Sequence, residues 1–164
     1  YIGWRYILTM FIAGLGMYTY LRQVNIRQWA ALWAGVAFMS APTFLAFPMA
    51  GQYAKMGVIA VFPWMCLFLE RGMERGRLIH LAGLGGMIGL GVYSHPPIMF
   101  YALLGLGVYF LFKAYRIYRE KTDVKRLAQR SGFFAFSVVL GLALVWDLRL
   151  SCCPSVAEIF VVAI

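Results

Sequence analysis

The sequence predicts an all-α fold, a polytopic transmembrane helix bundle of about six membrane helices. Of its 164 residues, 63% are hydrophobic and only 13% are charged, and the mean hydropathy is +0.77. A soluble domain of this length leaves much of its surface in water, so lipid accommodates this composition better. Six apolar runs approach the ~20 residues that cross a bilayer as a helix, and the basic residues alternate between the connecting loops.

The six predicted spans follow one another with short polar connections. In chain order they cover 6–20, 29–47, 57–69, 78–93, 98–112 and 133–145. Flanking lysines and arginines extend the reach of the shorter ones by snorkelling. One helix over 78–112 is excluded, because Pro96 and Pro97 would interrupt its centre. We expect His95, Pro96 and Pro97 to form the turn between the fourth and fifth spans, with the fourth helix ending near Ser94.

The basic residues predict the orientation of these spans. Twelve of the 15 lysines and arginines lie in loops 21–28, 71–77 and 113–131, whereas the two intervening loops carry only Lys55. Positively charged loops stay in the cytoplasm. We therefore expect those three loops to be cytoplasmic and Lys55 and His95 to lie on the other side. Arg5 and Arg149, near the two ends of the chain, are the exceptions.

The formal net charge of +9 favours anionic membrane lipid as a partner and not nucleic acid, because no soluble basic domain is present. The cysteines are Cys66, inside a span, and the neighbours Cys152 and Cys153. This spacing predicts neither a disulfide framework nor a metal site. Small residues four apart, such as Gly85 and Gly89, predict close helix packing. Because the chain begins without methionine, we expect one transmembrane domain over 1–164 within a longer protein.

Polar residues gather in the two loops predicted to face outward. Gln52, Tyr53 and Lys55 lie in the first of them and His95 lies in the second. A lone lysine on the side that the charge rule disfavours suggests an anionic ligand such as a phosphate. Snorkelling of Lys55 to the headgroups and a turn role for His95 are the simpler alternatives.

The same loops carry a family resemblance. The order "GMYTYLRQVNIRQWAALWAGVAFMSAPTF", "GQYAKMGVIAVFPWMCLFLERGMERG" and "LAGLGGMIGLGVYSHPPIMFYALLGLGVYFLF" resembles the YfhO-like bacterial membrane proteins over about residues 14 to 114. The matching positions are Gly51, Gln52 and Lys55; Pro63 and Trp64; Leu69, Glu70 and Arg71; and Ser94, His95, Pro96 and Pro97. Gln52 replaces the family's usual histidine, and Ser94 and Pro97 replace a glycine and a glutamine.

The resemblance implies a GT-C-type polytopic glycosyltransferase of the bacterial cytoplasmic membrane, which uses a polyprenyl-phosphate-linked sugar donor on the extracytoplasmic face. It implies substrate binding by Lys55, His95, Gln52 and Tyr53. The catalytic carboxylate of such enzymes lies in an earlier loop, so no catalytic or metal-binding residue is assigned here. Any divalent cation would be held by parts outside this chain. A transporter or flippase segment and a structural membrane module are the alternative hypotheses.

Overall fold

The computed structural model describes residues 2–119, 132, 135–139 and 141–143. Its helices are α1 (Ile2–Gln23), α2 (Gln28–Met39), α3 (Pro42–Met49), α4 (Tyr53–Arg75), α5 (Leu78–Ser94) and α6 (Pro96–Arg119). Every regular element in this part of the chain is an α-helix, so the predicted fold class is confirmed. By length and composition, the stretches able to cross a membrane are Gln28–Met49, Tyr53–Arg75 and Pro96–Arg116, and Leu78–Ser94 is a shorter apolar helix.

The second predicted span is confirmed as a stretch able to cross a membrane, Gln28–Met49, but the expectation of one continuous helix was wrong. It is broken into α2 and α3 at Ser40 and Ala41. Pro42 lacks the N–H that would continue the helix, and its ring disfavours helical backbone at the preceding residue. Ala41 accordingly has an extended backbone at φ −60° and ψ 139°. Pro42 then begins α3 at a position where no N–H is needed.

α5 and α6 are separated at His95 as predicted, but Pro96 and Pro97, which were predicted to lie in the turn, belong to the first turn of α6. α5 ends at Ser94, His95 adopts an extended backbone at φ −160°, and Pro96 begins α6. The backbone N–H of Ile98 lies 3.4 Å from Nδ1 of His95, which accepts a weak hydrogen bond in the first turn of α6. The ring of His95 therefore serves the turn itself.

Contacts along the helices show their relative directions. The Trp64 indole of α4 donates to the Ile12 carbonyl of α1, and Gln23, at the end of α1, bonds Glu74, near the end of α4; these two helices are parallel. Gly57, near the start of α4, packs on Ser94, at the end of α5, so α4 and α5 are antiparallel.

The bundle therefore has two ends, which we name after one residue each. The His95 end contains Arg5, Tyr53 and His95. The Glu70 end contains Gln23, Glu70 and Lys113, and it is the end that the charge pattern predicts to be cytoplasmic. Lys55, in the first turn of α4, lies at the His95 end, as the sequence predicted for Lys55 and His95 together.

Two apolar clusters hold the helices together. The larger one joins α4, α5 and α6 and includes Met65, Leu84, Ile88, Met99 and Leu106, each at most 1% exposed. The smaller one joins α1, α3 and α4 through Ala13, Phe44, Met56 and Ala60. Transfer of one side chain of this size from water into such a cluster is favourable by about 1.5–3 kcal/mol. The clusters are therefore the main source of stability relative to a state in which these side chains are exposed to water.

The outer faces of the bundle are also apolar. Ile7 and Phe11 of α1 are 55% and 60% exposed, and Val108 and Leu111 of α6 are 68% and 66% exposed. On a soluble protein, apolar faces of this extent would mark an interaction surface. On a membrane bundle they are the surface that contacts acyl chains.

Glycines allow two helix crossings to be unusually close. A Cβ placed on Gly35 of α2 would lie 2.9 Å from the Gly14 carbonyl oxygen of α1, and one placed on Gly141 would lie 2.8 Å from the Gly85 carbonyl oxygen of α5. The predicted close packing is thus confirmed at Gly85. Within the sixth predicted span, the described residues 135–139 and 141–143 are helical, and the rest of that span lies outside the described residues.

Candidate functional site

A cavity opens at the His95 end between α1, α4 and α5. Its volume is about 390 Å³, which falls within the size range of small-molecule sites in proteins. Its lining combines one cation, several hydroxyl groups and a few small apolar groups. The lining residues are Arg5, Tyr6, Thr9, Tyr53, Ala54, Met56, Gly57, Tyr93 and Ser94.

The helices supply the polar groups of this cavity at regular spacing. Arg5 and Thr9 are one helical turn apart on α1, so they share a face. The Thr9 hydroxyl donates to the Arg5 carbonyl at 2.7 Å, and the Ser94 hydroxyl donates to the Leu90 carbonyl at 2.9 Å. Each hydroxyl oxygen retains lone pairs, so both side chains can still accept a hydrogen bond from a ligand.

Three tyrosines complete the lining. Tyr53 and Tyr93 are 47% and 67% exposed, and Tyr6 of α1 is partly buried between them and the core. A phenol ring offers a flat apolar face together with a hydroxyl that donates and accepts. This pairing suits a ligand with both polar and apolar faces, such as a sugar ring.

The charge of the site is positive. Over residues 2–119 the carboxylates are Glu70 and Glu74, and both lie at the Glu70 end. In that part of the chain no acid therefore neutralises Arg5, whose guanidinium is suited to bidentate pairing with carboxylate or phosphate. The site favours an anionic ligand.

The structure brings only one of the predicted binding residues into the cavity. Tyr53 lines it, whereas Gln52, Lys55 and His95 are not among the lining residues. The Lys55 ammonium lies 5.7 Å from the centre of the Phe47 ring of α3, within the range of a cation–π contact. Gln52 is exposed in the turn that precedes α4. Substrate binding by these residues stays a prediction.

Arg5 is the residue that sequence reasoning missed. It was treated as an exception to the charge alternation, although the signal that singled out Lys55, a basic residue on the disfavoured side, applied to Arg5 equally. What the sequence did not show is that the start of α1 lies beside the start of α4. That neighbourhood depends on α1 and α4 packing in parallel.

No metal site accompanies the cavity in the described part of the chain, where no three histidine, cysteine, aspartate or glutamate residues come together. Cys66 is a buried free thiol in the core. The described residues thus provide the cavity with a positive charge, hydroxyl groups and aromatic faces. Such groups are means of binding a ligand rather than of activating a nucleophile.

Comparison with known proteins places the chain in a family. Residues 5–149 match the family model described as 6-pyruvoyl-tetrahydropterin synthase related domain; membrane protein. No curated protein and no solved structure matches the chain. The match spans most of the 164 residues, and its membrane description agrees with the apolar helices that the structure shows. The chain therefore belongs to the 6-pyruvoyl-tetrahydropterin synthase related family of membrane protein domains.

Proposed function

We propose that this chain is the membrane domain of a YfhO-like, GT-C-type glycosyltransferase, and that the cavity at the His95 end binds a polyprenyl-phosphate-linked sugar. The observation that carries the proposal is the composition of the cavity, in which one arginine and several hydroxyl groups surround about 390 Å³. A phosphate needs a cation, and a sugar needs hydrogen-bond partners and flat apolar faces. The apolar outer surface of the bundle suits the polyprenyl tail.

In this proposal each cavity residue has a separate role. Arg5 pairs with the donor phosphate and offsets the charge that grows on it as the glycosidic bond breaks. Thr9 and Ser94 accept hydrogen bonds from sugar hydroxyls, and the tyrosine rings pack on the sugar. Lys55 and His95, which lie outside the cavity lining, attract the anionic donor toward the same end of the bundle. The catalytic carboxylate comes from another part of the protein.

Removal of the Arg5 charge tests the proposal. In the full-length protein, we expect Arg5→Met to weaken the binding of a short-chain polyprenyl phosphate by roughly 10- to 100-fold, because a charge-assisted contact contributes about 1.5–3 kcal/mol. Methionine keeps much of the apolar stem. Affinity measured by calorimetry in detergent reports this step without requiring that the sugar be known.

Two matched variants act as controls. Arg27→Met removes an exposed arginine at the opposite end of the bundle and should leave the affinity unchanged. Lys55→Met should have a smaller effect than Arg5→Met, since the Lys55 ammonium contacts Phe47. If Arg5→Met binds the polyprenyl phosphate as tightly as the parent protein, the cavity is not the donor site.

A transporter or flippase is the second candidate, and the broken span of α2 and α3 favours it. Transporters build substrate sites from interrupted helices near the middle of the membrane. Here the break at Ser40 and Ala41 adjoins the small cluster around Phe44 rather than the cavity. Reconstituted protein that moves a polyprenyl-phosphate sugar across vesicles without transferring the sugar would favour this candidate.

The orientation of the bundle is proposed from the charge pattern, with the His95 end outside the bacterial cytoplasmic membrane. We expect single cysteines at Gln52 and Ser94 to react with an impermeant thiol reagent in intact cells, and a cysteine at Gln129 to react only after permeabilisation. Both outward positions lie at the His95 end. Labelling of the Gln129 position alone in intact cells would reverse the orientation.

A further inference from the structure

A buried carboxylate holds α6 against α4 at the Glu70 end. The Glu70 side chain of α4 is only 6% exposed and is contacted by two residues of α6. The Tyr109 hydroxyl donates to Oε2 of Glu70 at 2.9 Å, and the Lys113 ammonium forms an ion pair with Oε1. Both oxygens of this buried anion are therefore satisfied, as its burial requires.

A second set of polar contacts holds α1 against α4 at the same end. The Arg71 guanidinium donates through Nε to Oε1 of Gln23 at 3.1 Å, and the Gln23 amide donates to Glu74 at 2.7 Å. The two sets of contacts are linked, because the Tyr20 ring of α1 packs edge-to-face on the Tyr109 ring at 6.4 Å. We call the residues of both sets together the Glu70 network.

The His95 end is built differently. There the hydroxyls of Thr9 and Ser94 bond the backbone of their own helices. The side-chain hydrogen bonds of the Glu70 network join α1, α4 and α6 at the Glu70 end. Toward the middle of the bundle, the Trp64 indole links α4 to the Ile12 carbonyl of α1. In the part of the chain that the structure describes, the buried ion pair lies at the Glu70 end and not around the cavity.

We propose that the Glu70 network is a latch that keeps the bundle closed to water at the Glu70 end while α1, α4 and α5 separate around the cavity at the His95 end. Separating α6 from α4 would either expose the Glu70 carboxylate or leave it buried without its partners. Charged hydrogen bonds in a low-dielectric interior resist such opening. Among residues 2–119, separating the helices at the His95 end breaks no buried, charged contact of this kind. The bundle would then open at one end only, whatever ligand the cavity holds.

A cysteine introduced in place of the buried Met73 tests the latch. Met73 lies on α4 one turn beyond Glu70 and is 3% exposed. The test uses full-length protein in which Cys66, Cys152 and Cys153 are replaced by alanine. Its readout is the rate at which the Met73→Cys thiol reacts with a maleimide in detergent. Glu70→Gln should raise this rate roughly tenfold, because a charge-assisted contact no longer opposes local opening. Tyr109→Phe, which keeps the ion pair, should raise it less.

Three controls separate a latch from general loosening. Arg75→Gln removes an exposed charge on the same helix that has no part in the network, and it should leave the Met73→Cys rate unchanged. A Ser94→Cys reporter at the cavity should react rapidly with or without Glu70→Gln. The exchanged pair Glu70→Lys with Lys113→Glu should return the Met73→Cys rate toward that of the parent protein.

The proposal is overturned if Glu70→Gln and Tyr109→Phe leave the Met73→Cys rate unchanged, or if they raise the Ser94→Cys rate by the same factor. If Glu70→Gln unfolds in detergent, the Tyr109→Phe result decides alone, since that variant loses one neutral donor and keeps the charges. Because the readout is labelling and not binding or transfer, the latch can fail while the glycosyltransferase proposal stands, and the reverse also holds.

Discussion

We expect Lys113→Met to lower the free energy of unfolding by about 3 kcal/mol and Glu70→Gln to lower it by about 1 kcal/mol. The asymmetry arises because the two partners differ in burial, with the Glu70 side chain 6% exposed and the Lys113 side chain 22% exposed. Without Lys113, a carboxylate remains buried with only the Tyr109 hydroxyl as a partner. Without the Glu70 charge, the lysine stem can carry its ammonium toward the membrane surface.

Unfolding in mixed micelles of increasing denaturing detergent measures these differences. The double variant Lys113→Met with Glu70→Gln is the matched control, and it should be more stable than Lys113→Met alone, because it leaves no unpaired charge. If both single variants are as stable as the parent protein, the pair contributes as little as a surface contact.

Gly35→Ala destabilises the protein even though alanine is the better helix former. In an ordinary helix this exchange favours folding by about 0.5–1 kcal/mol. Here the added Cβ would lie 2.9 Å from the Gly14 carbonyl oxygen, a backbone atom that moves only if α1 and α2 move apart. We expect a net loss of about 1–3 kcal/mol, the usual cost of overpacking, and a larger loss for Gly35→Leu.

Gly86→Ala on α5 is the control for this prediction, since a Cβ there meets no atom of the described residues within 4 Å. It should be neutral or stabilising under the same conditions of unfolding in mixed micelles. Equal stability of Gly35→Ala and Gly86→Ala would mean that α1 and α2 are not held at the close distance that the structure shows.

The helix break at Ser40 and Ala41 shows where the hydropathy pattern is insufficient. An apolar run over 29–47 predicts one span, because hydropathy depends on side-chain transfer into lipid and is insensitive to backbone hydrogen bonds. Pro42 acts on the backbone alone. A proline within an apolar run can end a helix or lie inside it. Pro42 follows the end of α2, whereas Pro63 lies inside α4, so the outcome depends on packing around each position.

The sequence by itself determined the properties that depend on local composition: an all-α membrane bundle, the separation of two helices at His95, and a bundle with its basic residues concentrated at one end. The length of apolar runs, the position of prolines and the charge of each loop can be recognised along the chain without knowing which residues meet. Only the tertiary structure decided which residues meet. The cavity joins Arg5 to Tyr53 and Ser94, and the latch joins Gln23, Glu70 and Lys113, because α1, α4 and α6 pack in parallel. That arrangement follows from contacts between residues far apart in the sequence, such as the Trp64 indole with the Ile12 carbonyl, which residue spacing does not encode.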